Sequence, residues 1–280
     1  MHEETMSFLG LAVKARFDAA PLADLFATLY GKWEEPGEHT IEMEFTTAPS
    51  PNDSWLEAKG IRYNSMEGGT LYVRNHQAAG SIDFIRGQGR LSLAQDEARE
   101  AIGFVMRSVF STFAAMHGRP FIHASGVVKQ GRACLFAGHS GAGKSTIAAM
   151  LARLEGGEIL HDDTVFLTED QGVVMAEASP YLGQEGFASH KPARYPVEAI
   201  YLLHQSLVPA LGEVVTPALA MAALFTAPLD SAIGPGTPSY AAYLASAMPR
   251  YRRLLVQAPC RNLAFSLSAL PKSIFPATNE

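Results

Sequence analysis

The stretch Gly138-His139-Ser140-Gly141-Ala142-Gly143-Lys144-Ser145-Thr146 decides how this chain is read. It fits the phosphate-binding pattern G-x-x-x-x-G-K-[ST], in which each residue type has a physical task. The glycines permit the tight backbone that turns successive N–H groups toward phosphate oxygens. Lys144 is placed to reach β- and γ-phosphates, and the Ser145 hydroxyl to meet Mg²⁺. A helix starting here adds its positive end. The flanks agree. Residues 132–137 are a short apolar run between Gly131 and Gly138, the pattern of a buried strand. Ile147, Met150, Leu151 and Leu154 then recur at helical spacing before Gly156-Gly157. Strand, glycine loop and helix is the arrangement a phosphate cradle requires; a flexible linker does not sit between two such elements. Residues 138–146 are therefore the candidate nucleotide-binding residues.

A second group follows closely. His161-Asp162-Asp163 stands at the junction of two short apolar runs, less than twenty residues after Lys144. Two carboxylates beside bound phosphates have distinct uses. One, Asp162 in the expected assignment, joins Ser145 in holding Mg²⁺, directly or through water. The other orients an acceptor hydroxyl and takes its proton during phosphoryl transfer. Sequence leaves open which of Asp162 and Asp163 is the acid/base. His123, in the strand-like run before the glycine loop, is a candidate to contact a phosphate or tune a carboxylate, since histidine titrates nearest neutral pH. Lys144, His123, Asp162 and Asp163 form the expected catalytic set. His139 occupies a variable position of the loop, where its backbone matters more than its ring.

Three segments together resemble the catalytic core of the HPr kinase/phosphorylase family: residues 122–128 (Ile-His-Ala-Ser-Gly-Val-Val), residues 136–146 with the glycine loop, and residues 160–165 (Leu-His-Asp-Asp-Thr-Val). That family shares the layout with ATP-dependent phosphoenolpyruvate carboxykinase, and the chain also resembles stand-alone members that phosphorylate serine in lasso-peptide precursors. The likeness covers residues 121–167. It implies that Lys144 and Ser145 bind phosphate and Mg²⁺, that one of the two aspartates is the acid/base, and that His123 lines the site. It implies ATP as the donor, with GTP as the alternative. The bifunctional enzymes carry Glu where Thr146 stands here, which points away from HPr as acceptor and from the reverse phosphorylase reaction.

The rest of the chain frames this core. Its 280 residues suit one large domain or two smaller ones, and 48% hydrophobic residues suffice for a packed interior. A net charge of −6 lacks the basic footprint of a nucleic-acid surface. Two cysteines, Cys134 and Cys260, cannot build a disulfide framework, which fits a reducing cytosol. The start of the chain is acidic, unlike a secretory leader, and no apolar run is long enough for a bilayer. The expectation is a soluble cytoplasmic protein without a nucleic-acid or membrane partner, acting on a peptide or small-protein acceptor, with a homo-oligomer open.

Residues 40–45 alternate, with Ile41, Met43 and Phe45 on one face, and residues 71–73, 81–85 and 90–93 are further strand candidates. Residues 21–30 suit a helix. Ala98, Ile102, Val105, Met106, Val109, Phe110 and Phe113 mark a long amphipathic helix over 95–117. The expected class is α/β (α+β overall): a mostly antiparallel N-terminal domain (1–94), a bridging helix (95–118) and a P-loop catalytic domain (119–280). In the last part, strands are expected at 121–128, 158–160, 164–167, 173–175, 199–203, 252–256 and 263–265, and helices at 217–225 and 240–247. The basic segment 190–194 is a candidate clamp for an acceptor or a nucleotide. Arg250, Arg252 and Arg253 around Tyr251 are candidates to meet an acidic peptide or transferring charge.

Overall fold

Consecutive residues with positive φ mark four of the hairpins among the described residues: Leu9 and Gly10 (52° and 76°), Gly68 and Gly69 (54° and 83°), Gln130 and Gly131 (52° and 75°), and Gln171 and Gly172 (48° and 83°). Left-handed backbone at both central residues is the I′ pattern, whose twist matches that of the flanking strands. The computed structural model describes residues 1–51, 53–61, 63–181, 192–224, 238–266 and 274. It is mixed α/β and divides into two compact units, Met1–His117 with Leu229–Tyr243, and Gly118–Pro228 with Leu244–Glu280.

The first unit contains β1 (His2–Phe8), β2 (Leu11–Phe17), α1 (Ala20–Tyr30), β3 (His39–Ala48), α2 (Ser54–Ala58), β4 (Ser65–Glu67), β5 (Thr70–Arg74), β6 (Ala78–Asp83), β7 (Gln88–Ala94) and α3 (Ala98–Met116). Its seven strands lie in the order β1-β2-β3-β7-β6-β5-β4. The β2–β3 and β3–β7 pairings are parallel, and the rest antiparallel. Ile41, Met43 and Phe45 are buried, and Glu42 and Glu44 take the other face, as the alternation requires. α1 packs against β1 and β2, and α3 against β5, β6 and β7. Phe17 stacks on Phe45 at 5.0 Å, and Phe8 meets Trp33 edge-on at 5.2 Å.

The second unit contains β8 (Phe121–Lys129), β9 (Arg132–Ala137), α4 (Lys144–Glu155), β10 (Glu158–His161), β11 (Thr164–Asp170), β12 (Val173–Ala178), β13 (Arg194–Gln205), β14 (Ala210–Val214), α5 (Pro217–Leu224), the part of α6 (Pro238–Gln257) from Leu244 onward, and β15 (Cys260–Phe265). The sheet runs β10-β8-β11-β12-β13-β15-β14, with β9 joining β8 and β13. The β9–β13 and β13–β15 pairings are parallel. α4 covers them, packing Ile147, Ala148 and Leu151 with Phe136, Tyr201 and Leu263. One expectation is corrected here. Residues 252–256 form the last turns of α6, not a strand, and the helix continues through Pro249. Ala247, Tyr251, Leu254 and Ala258 are buried at steps of four, three and four residues.

Candidate active site

The glycine loop lies between β9 and α4, and its shape follows from two left-handed residues. Gly141 and Gly143 have φ of 79° and 97° on either side of Ala142. Alternating backbone hands of this kind make a concave nest of N–H groups. A Cβ on Gly143 would lie 2.4 Å from the Phe265 ring, so this position is closed twice, by conformation and by space. A Cβ on Gly141 would meet nothing within 4 Å. The Ala142 N–H donates to His139 O (3.1 Å), the Ile147 N–H to Gly143 O (2.9 Å) and Gln205 Nε2 to Gly141 O (3.0 Å). His139 and Ser140 are exposed; the His139 ring donates through Nδ1 to Ser140 O at 2.6 Å. Lys144 opens α4, and its ammonium donates back to Gly138 O and His139 O, both at 3.2 Å. Ser145 and Thr146 are half-buried in the first turn of α4.

The two aspartates sit where one line of chain is interrupted. β10 and β11 both run antiparallel to β8: His161 pairs with Gly126, and Thr164 with His123. Between them the chain bends at Asp162 and Asp163. The bend is pinned from two sides. Ser125 Oγ, on β8, donates to Asp162 O at 3.1 Å. His161 Nδ1 accepts the backbone N–H groups of Asp163 and Thr164, both at 3.1 Å.

The two carboxylates have different surroundings. The Asp162 side chain is only 1% exposed and lies 4.0 Å from the His161 ring. The Asp163 side chain is 26% exposed; its Oδ1 lies 3.2 Å from His123 Nδ1, an ion-pair distance. Its Oδ2 accepts from Thr164 Oγ1 at 3.1 Å. Asp163 also reaches Lys144 electrostatically. Burial holds the Lys144 ammonium below the usual lysine range, and the Asp163 charge acts in the opposite direction. The fold thus gathers His123, Asp163, Lys144 and the loop around Gly138 and His139, while Asp162 is enclosed.

The donor set suits a nucleotide triphosphate: a nest of N–H groups, a lysine and a serine hydroxyl, with open space over Gly141. Mg²⁺ usually binds one or two carboxylates plus substrate phosphates rather than an all-protein cage. Among the described residues no group of three or more His, Cys, Asp or Glu side chains is placed to hold a metal ion. Four residues at the site were not singled out from sequence. Thr164 adjoins Asp163 and was within reach of a sequence reading. Ser125, two residues from His123, was equally within reach, whereas Gln205 and Phe265 are distant in sequence and only the fold brings them in. The expected clamp residues His190 and Lys191 lie outside the described residues, whereas Arg194 opens β13 and lies 3.8 Å from Asp170. Arg250 donates to Gly118 O and Arg253 pairs with Glu169 at 2.7 Å, so both have structural contacts.

No helix among the described residues is long and apolar enough to cross a membrane. No protein-family model matches the chain, and no curated protein matches it by sequence. Among solved structures, it is similar to the HPr(Ser) kinase/phosphatase of Coxiella burnetii, with 11% identity, a TM-score of 0.29, and coverage of 52% of this chain and 85% of that one.

Proposed function

We propose that this chain is an ATP-dependent kinase that transfers the γ-phosphoryl group to a hydroxyl, that of serine in a peptide or small protein. The observation that carries the reading is the meeting at Asp163 of His123, 3.2 Å away, and the charge of Lys144. A phosphate-binding lysine beside an oriented, accessible carboxylate is what transfer to a hydroxyl needs.

In this reading Asp163 is the acid/base. Held at Oδ2 by Thr164 and with Oδ1 3.2 Å from His123 Nδ1, it accepts the proton of the acceptor hydroxyl. Lys144 and the N–H groups of the glycine loop hold the phosphates, so that most of the rate comes from positioning and charge compensation. Ser145, half-buried in the first turn of α4, would hold Mg²⁺ together with phosphate oxygens, and the enclosed Asp162 would reach it through water. ATP would supply the transferred group, and Mg²⁺, when bound, would compensate charge on its phosphate oxygens.

The test is intact-mass analysis after incubation with Mg²⁺-ATP and a pool of serine peptides, HPr and free serine, run in parallel with Lys144→Ala. The expected result is a gain of one phosphoryl group on a peptide or protein, absent with Lys144→Ala. Transfer to free serine alone would make the chain a small-metabolite kinase. Nucleotide binding without transfer to any acceptor would favour a nucleotide-sensing regulator and overturn the proposal.

A further inference from the structure

His161 has no part in the transfer just described, yet its side chain is fully buried and bonded on both ring nitrogens. Two backbone N–H groups, those of Asp163 and Thr164, donate to Nδ1. That nitrogen must therefore be the unprotonated one. Nε2 then carries the hydrogen and donates to Tyr181 O at 3.1 Å. The ring is neutral, in the Nε2–H tautomer, and spans from the bend between β10 and β11 to the chain beyond β12. A single acceptor that captures two successive amides closes the backbone on itself. Asp162 and Asp163 therefore form a fixed bend rather than a continuation of the ladder against β8.

We infer that His161 is a positioning residue: through Nδ1 it fixes the backbone of Asp163, and with it the placement of that carboxylate beside His123 and Lys144. The consequence for phosphoryl transfer rests on the proposed function; the hold on the bend does not. Two substitutions separate the arms of the ring. His161→Asn keeps a short-range acceptor for the two amides and gives up the reach to Tyr181. His161→Gln keeps the reach and gives up the acceptor at the Nδ1 position.

Two measurements on the full chain test the inference. The first is NMR of the ring nitrogens in the wild-type protein, with hydrogen exchange at the Asp163 and Thr164 amides in all three proteins. The expected result is an Nε2–H tautomer and protected amides in the wild type. Protection should be lost at those two amides in His161→Gln, kept in His161→Asn, and unchanged on β8 in both. The second is turnover against nucleotide affinity. His161→Gln should lower turnover by about 10- to 100-fold with affinity little changed, as expected when a reacting group is misplaced, and His161→Asn should retain most of it. A ring protonated at Nδ1 in the wild type, unchanged exchange in His161→Gln, or equal turnover in the two variants overturns the inference. The expected amide pattern in a protein that transfers phosphate to nothing would remove the proposed function and leave the hold on the bend standing.

Discussion

His123 Nδ1 stands 3.2 Å from Asp163 Oδ1, although the strand register places His123 opposite Thr164. The bend before β11 therefore brings the carboxylate to the imidazole. Asp163→Asn is expected to lower turnover by roughly 10²–10⁴, the contribution of a general base, with nucleotide affinity kept. His123→Ala leaves the carboxylate and should cost less. Turnover and nucleotide affinity measured side by side check this, and normal turnover in Asp163→Asn would pass the role to Asp162.

Gly141 and Gly143 share a backbone conformation and differ in what surrounds them. Gly141→Ala should cost about 1–2 kcal/mol, the strain of an L-residue in the left-handed region. Gly143→Ala should cost more, because the new methyl meets the Phe265 ring. Adding Phe265→Leu to Gly143→Ala should return part of the difference. Urea unfolding of the four proteins tests this, and equal destabilisation by the two alanines would exclude a role for the ring contact.

Gln257, the last residue of α6, stitches together two strands. Its amide nitrogen donates to Val174 O (2.8 Å) and Val197 O (3.1 Å), and its oxygen accepts from the Val174 N–H (2.6 Å). Gln257→Leu removes all three bonds and leaves backbone groups of β12 and β13 without them, at a cost of about 2–4 kcal/mol by the usual value per bond. The unfolding free energy and hydrogen exchange at the Val174 amide measure it. A loss under about 0.5 kcal/mol, the range of an ordinary surface substitution, would mean water takes over the bonds.

Burial pushes the Cys134 thiol up to about 12 and the Cys260 thiol up to about 11. The folded state therefore holds protons that the unfolded chain releases near pH 9, and stability falls as pH rises from there toward 12. Buried Tyr201 is shifted in the same direction. Both thiols should resist alkylation at pH 8 in the native protein and react on unfolding. Cys134→Ala should flatten the alkaline loss of stability, and rapid alkylation of either native thiol would contradict the burial described.

The glycine loop and its flanks were legible because residue type and spacing there serve one local geometry. The run over 98–116 was legible because burial and helical period coincide. One reading failed where local signals conflict. Pro249 suggested an end to α6, and Leu254-Leu255-Val256 resembles a strand, but the buried positions Ala247, Tyr251 and Leu254 keep the helical period through both. At the site, the pairing of His123 with Asp163 was not legible. It depends on the register of β8 against β11 and on a bend held by His161, and neither is written in local composition.

β8 hydrogen-bonds to β9 along one edge and to both β10 and β11 along the other. The strand that feeds the glycine loop and the line that carries the aspartates are thus referenced to a single rail, which itself bears His123. Each lies one strand spacing from it, so the path across is about 10 Å and passes through one shared element. Errors in placement have little length over which to accumulate. The same geometry gathers the glycine loop, Lys144, His123, Asp162 and Asp163 within residues 121–170, in one fixed register.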